Sequence, residues 1–167
     1  MFTVGILTMS DKGHRGERVD ESGNKVIRDM VTACGASVVN YEIVPDDGNI
    51  IRQKLAEWAD SGKIDVILAT GGTGLGPRDV TPEATLAIID RAVPGISEAM
   101  RTGTLNKTPM AMLSRAVAGV RKKCLIVNLP GSPRAVKECL EIALPAIPHA
   151  IDIIKGKVTE HKPSGSA

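Results

Sequence analysis

The sequence is poor in aromatic side chains: Phe2, Tyr41 and Trp58 are the only three among 167 residues. The stacking platforms that hold single-stranded nucleic acid are therefore missing, and a core has to be assembled from Ile, Val, Leu, Ala and Met. A dominant charge is missing too. Lys and Arg number 21 against 19 Asp and Glu, with no basic or acidic block, so nucleic acid is not an expected partner. Cysteine is scarce and unpaired. Cys34, Cys124 and Cys139 lie far apart, with no C-x-x-C pair and no nearby histidine to complete a zinc site, and buried free thiols are the expectation. His14, His149 and His161 are equally scattered, which suggests solvated or capping roles and no metal cluster. No apolar run reaches the ~18 residues of a membrane span, and the opening "MFTVGILTMS" is too short for a secretory signal. A cytoplasmic protein with no membrane partner is expected.

What is present is a composition, 43% hydrophobic and 24% charged, that fits one domain able to bury roughly 70% of its unfolded-state surface. Residues 1–156 are assigned to that domain and 157–167, ending in "KPSGSA", to a short flexible tail. Apolar, β-branched runs predict strands at 2–9, 37–44, 64–70 and 123–129. Helical spacing predicts helices from Asp20 to Ala33, around Ile50 to Trp58, and from Ser132 through Leu144, continued to Ile154. Thr81 is expected to cap a further helix with Pro82 at its first position, stopping before Pro94. Short helices are expected at Ser97–Arg101 and from Pro109 to Ala118. Strands alternating with helices imply a three-layer α/β/α domain with a mostly parallel sheet.

In such a sheet the residues after each strand emerge on one edge, where ligands bind at a switch in strand order. The polar residues collect there: Ser10-Asp11, Asp46-Asp47, Gly71 through Asp79, and Asn128 through Ser132. The run "TGGTGLGPRDVTPEAT" is not a P-loop, because Pro77-Arg78 stands where the lysine and hydroxyl belong, and its G-x-G-x-G spacing fails the dinucleotide fingerprint. Glycines let successive N–H groups approach an anion, with Thr73 as a further donor; a plain chain reversal is the competing reading. Asp79 beside such a nest would repel an anion unless a cation lay between. Mg2+ suits that place, since one or two carboxylates with substrate phosphates commonly hold it. Asp46 is the candidate second carboxylate, although Asp46-Asp47 also reads as a turn and helix cap, one capping and the other working. "NLPGSPRAV" offers Gly131, Ser132 and a helix N-terminus, or else an ordinary capped turn. Arg78, Arg115 and Arg134 are candidates for neutralising phosphates.

Together, "VPDD", "TGGTGLGPRDVTPEAT", "LSRAVAG" and "NLPGSPRAV" resemble the molybdopterin adenylyltransferases, a MogA/MoaB-like family that also supplies a domain of gephyrin and of plant molybdenum insertases. The resemblance runs from about Thr3 to Lys155. It implies a homotrimer and the Mg2+-dependent transfer of AMP from ATP to molybdopterin, releasing pyrophosphate. It places essential acidic residues, catalytic and metal-binding, at Asp46 and Asp79. Ligand-cleft loops fall at Ser10, Asp11, Gly71, Gly72, Thr73 and Gly74, and at Asn128, Pro130, Gly131 and Ser132. The intact "RDVTPEAT" favours the adenylylating branch over MoaB-like proteins. Two other classes stay open: a pterin-binding or scaffolding module without chemistry, and another phosphate-ligand enzyme such as a nucleotide-sugar or flavin binder.

Overall fold

The computed structural model describes residues 1–158; the expected tail from residue 159 onward, His161 included, lies outside them. The six strands are β1 (Thr3–Met9), β2 (Ser37–Val44), β3 (Val66–Thr70), β4 (Arg91–Ala92), β5 (Ala118–Arg121) and β6 (Cys124–Leu129). They form one sheet in the order β2-β1-β3-β6-β5-β4. The first four in that order are parallel, while β5 and β4 add antiparallel pairings at one edge. Among the described residues no helix is long and apolar enough to cross a membrane.

Alternation along each central strand builds the three layers. Val4, Ile6, Val66, Leu68, Leu125 and Val127 point to one face, and Leu7, Met9, Ile67, Ala69 and Ile126 to the other. Helices α2 (Arg28–Ala33), α5 (Pro94–Thr104), α6 (Pro133–Ala143) and α7 (Ile147–Ile154) cover the first face; α3 (Gly48–Asp60) and α4 (Thr81–Leu86) cover the second. Each fully buried Ile or Leu in these clusters contributes about 1.5–3 kcal/mol, and burial on both faces explains why the strands read as continuous apolar runs. The strand order reverses between β1 and β3, so the loops after them part around a crevice at the carboxyl edge.

The structure corrects several local expectations. A short helix, α1 (Asp11–His14), occupies the region read as a loop, and the helix expected from Asp20 begins as a π-helical turn, Ser22–Ile27. Thr81 does not cap α4: the preceding residue Val80 holds that place, and the Thr81 hydroxyl donates to the Gly71 carbonyl at 2.8 Å. The segment from Pro109 is a 3-10 turn ending at Leu113, followed by β5 and not by more helix. β4 and β5 have two and four residues, too few for an alternating pattern to show. Gly119 is what lets them pair, since a Cβ there would stand 2.8 Å from the Arg91 carbonyl oxygen. Cys124 and Cys139 are buried as expected, but Cys34, just past the end of α2, is exposed.

Asn128 is the largest correction. Expected in the cleft, it is fully buried within β6. Its amide nitrogen donates to Thr85 Oγ1 at 2.9 Å, and its side-chain oxygen accepts from Val117 N at 3.3 Å. The residue is a polar rivet joining β6 to α4 and to the start of β5. Asn128→Ala would leave a buried N–H and a buried hydroxyl without partners, so the free energy of unfolding should fall by about 2–3 kcal/mol, read by urea denaturation, with ligand affinity in the cleft unchanged.

Candidate functional site

Three loops at the carboxyl edge are tied to one another before any ligand arrives. After β1, Ser10 caps α1 by accepting from Gly13 N at 3.0 Å. Asp11 and Asp46 then clasp each other: Asp11 N donates to Asp46 Oδ2 and Asp46 N to Asp11 Oδ1, both at 3.0 Å. Arg78 grips the Asp11 carboxylate with two bonds, from Nε at 3.0 Å and Nη2 at 2.9 Å. That guanidinium holds the Asp11 carboxyl below its ordinary range. The two neighbouring aspartates divide their work. Asp47 caps α3 through Asn49 N and Ile50 N, which frees Asp46 to face the crevice.

The glycine loop shows a one-sided hydrogen-bond account. Six of its carbonyls are occupied by protein donors: Gly71 by the Thr81 hydroxyl, Gly72 by Thr81 N, Thr73 by Arg115 N, Gly74 by Arg115 Nε, Gly76 by Asp79 N and Asp79 by Arg115 Nη2. The amides of Gly72, Thr73, Gly74 and Leu75, by contrast, donate to no protein acceptor among the described residues. A run of free N–H groups on a loop whose acceptors are taken is electropositive and suited to anions. Gly71 makes the turn possible: its φ is 98°, and a Cβ there would meet the Met9 carbonyl oxygen at 2.5 Å. The loop before α6 repeats the pattern, with Pro130 O taken by Thr70 Oγ1 at 2.6 Å and Gly131 O by Ser22 Oγ at 2.7 Å, while Ser132 caps the helix.

The crevice has two lobes on either side of the glycine loop. A polar lobe of about 680 Å3 is lined by Ser10, Asp20, Asp46, Gly71 and Gly72, and an apolar lobe of about 590 Å3 by Thr73, Gly74, Leu75, Met100, Leu113 and Ala116. Gly72, Asp79, Gly131 and Ser132 line both. Asp79 uses one carboxylate oxygen to accept from Gly76 N at 2.8 Å, and Asp46 uses one for Asp11 N; among the described residues each keeps its second oxygen unpartnered. Burial raises the Asp46 carboxyl above its ordinary range, and the charges of Asp11 and Asp79 add to that. In the floor of the apolar lobe the buried Ser97 hydroxyl has no partner among the described residues.

Residues 5–149 match the model of the family described as "Probable molybdopterin binding domain". The chain belongs to this molybdopterin-binding family. It is 41% identical over 155 residues to a molybdopterin adenylyltransferase of Helicobacter pylori, covering 92% of this chain and 88% of that protein. It is 43% identical to gephyrin of Dictyostelium discoideum over 93% of its own length, but spans only 23% of that protein. Among solved structures, a MoaB molybdopterin biosynthesis enzyme from Thermus thermophilus superposes with a TM-score of 0.88 at 53% identity, covering 96% of this chain and 100% of the other. The Mog protein of Mycobacterium ulcerans superposes at 0.85 with 37% identity, covering 92% and 99%.

Of the residues singled out from the sequence, Ser10, Asp46, Gly71, Gly72, Thr73, Gly74, Asp79, Pro130, Gly131 and Ser132 line the two lobes. Asp11 stands behind Asp46 and Asn128 lies in the core. The three arginines are already engaged: Arg78 by Asp11, Arg115 by the glycine loop, and Arg134 by Glu138 at 3.0 Å. Sequence reasoning missed Asp20, whose carboxylate accepts from Thr8 Oγ1 at 2.6 Å, Tyr41 OH at 3.0 Å and Gly23 N at 2.8 Å. Only the short spacing from Asp20 to Gly23 hinted at it; Thr8 and Tyr41 come from two other strands. The raised Asp46 carboxyl has a measurable consequence. Its ionisation weakens the fold above the ordinary aspartate range, and the penalty disappears at pH values where the unfolded carboxyl is protonated. Asp46→Asn should therefore raise the ligand-free melting temperature at pH 7, and calorimetry should show the gain vanishing below about pH 4.

Proposed function

We propose that the chain is a molybdopterin adenylyltransferase of molybdenum cofactor biosynthesis, transferring AMP from ATP to molybdopterin with release of pyrophosphate. The observation that carries this reading is the shared wall: one amide-rich loop, flanked by two carboxylates with a free oxygen each, separates a polar lobe from an apolar one. A flat heterocycle suits the apolar lobe and a polyphosphate the polar one, so their phosphates would meet at Gly72, Asp79, Gly131 and Ser132.

Asp46 and Asp79 fit Mg2+. Asp46 is half-buried, its own charge is disfavoured, and its free oxygen faces a cleft that also holds Asp79. Two carboxylates and substrate phosphates are a common set for this ion, which would supply charge neutralisation at the phosphates when bound. The remaining work falls to the chain itself. Loop amides and the α6 N-terminus orient phosphate oxygens and offset charge on the departing pyrophosphate. The walls hold the pterin phosphate in line with the ATP α-phosphorus: a new P–O bond forms there as the bond to pyrophosphate breaks. No protein nucleophile is invoked. Cys139, which lines the apolar lobe, is a protonated thiol pushed up to about 11 by burial.

The resemblance implies a homotrimer, and the exposed Met112, outside both lobes, is an apolar side chain that a second copy would cover; Met100 by contrast is core. A cytoplasmic location agrees with free thiols and an ATP requirement. The 53% identity to the Thermus MoaB structure favours a second reading, in which the chain binds the pterin without adenylylating it. Pyrophosphate release from ATP, Mg2+ and purified molybdopterin separates the two. In that assay Asp79→Asn should lower turnover by about 100-fold or more while its far-ultraviolet circular dichroism matches the parent; a folded variant with full activity removes Asp79 from the mechanism.

A further inference from the structure

Arg115 does not face the polar lobe as a phosphate-neutralising side chain would. Its backbone N–H donates to Thr73 O at 2.9 Å, its Nε to Gly74 O at 2.7 Å and its Nη2 to Asp79 O at 2.6 Å. Its Nη1 is closed by the Glu83 carboxylate on α4. The side chain is about one-third exposed, and Glu83 is more exposed still at 58%. One residue thus takes acceptors at both ends of the 73–79 segment. The fixed, planar fork of a guanidinium can satisfy two carbonyls and a carboxylate at once, which the point charge of a lysine cannot.

We infer that Arg115 is a positioning residue: by occupying the carbonyls of Thr73, Gly74 and Asp79 it keeps the loop amides turned to the cleft and the Asp79 carboxylate at the wall shared by both lobes. Glu83, outside both lobes, orients the guanidinium from behind. The inference about rate rests on the transferase reading; the inference about loop geometry does not. If the guanidinium were released, the carbonyls it holds would compete for the cleft side of the loop, and the electropositive face would be lost without any change in the residues that line it.

The test compares the full-length parent with Arg115→Gln, Arg115→Lys and Glu83→Gln, by hydrogen exchange of the ligand-free proteins and by steady-state adenylylation. For Arg115→Gln, the hydrogen-bonded amides that fasten the loop, those of Gly76, Asp79 and Thr81, should exchange at least about 10-fold faster while those of β1, β3 and β6 keep their protection. Turnover should fall about 10- to 100-fold, the scale of a misplaced reacting group. Arg115→Lys should recover part of both effects, and Glu83→Gln should shift both in the same direction by less. Unchanged loop exchange with lost turnover would mean that Arg115 contacts substrate directly and would overturn the inference. Loosened exchange with full turnover would overturn it from the other side. If even the parent shows no transfer, the functional reading fails, whereas the exchange comparison still decides whether Arg115 sets the loop.

Discussion

Backbone carbonyls at the end of a buried parallel strand must find donors, and between Gly71 and Asp79 six of them find donors inside the protein. Thr81 takes two, Arg115 takes three, and Asp79 N takes another. With the carbonyls of Gly71 to Gly74 used, the amides from Gly72 to Leu75 are left free beside the crevice. The same rule governs the loop before α6, where Thr70 and Ser22 take the carbonyls of Pro130 and Gly131. An anion-binding edge therefore arises from hydrogen-bond satisfaction on the far side of the chain, beside the cationic side chains Arg18 and Arg101 that also line the lobes.

The acidic side chains at this edge complement that arrangement. Asp11 and Asp46 exchange amide bonds between the loops after β1 and β2, and Arg78 pairs directly with Asp11. Asp46 is left with its charge disfavoured by burial and by two neighbouring aspartates. A carboxylate held in that condition gains more from a cation than a solvated one would. Carboxylates and free amides line one crevice, an arrangement that suits a divalent ion and a polyphosphate arriving together.

The four parallel strands and the large helices were legible: burial on both sheet faces leaves a strong apolar signal in β1, β3 and β6, where "KCLIVNL" differs from β6 by one, and the edge strand β2 reads through its β-branched run, "SVVNYEIV" matching it residue for residue. The antiparallel strands at the opposite edge were not legible. β4 is two residues long and β5 contains a glycine whose value lies in close approach to Ile89 and Arg91, a fact about distant chain segments. The loops of the cleft were also legible, since they follow strands. The roles of individual side chains within them were less so: Asn128 and Arg115 look like ligand-binding residues in one dimension and are structural partners in three.

Residue types and their spacing by themselves determined the α/β class, the carboxyl-edge location of the crevice, and the Asp46, Asp79 and glycine-loop candidates, because periodicity and turn chemistry are local. Only the tertiary structure decided which oxygen of each aspartate is free, which face of the glycine loop carries donors, and which arginine holds it. Those are matters of pairing between segments far apart in sequence, as Arg115 with Gly74 and Asp11 with Asp46 illustrate, and a pairing at that range leaves no periodic trace in the chain that makes it.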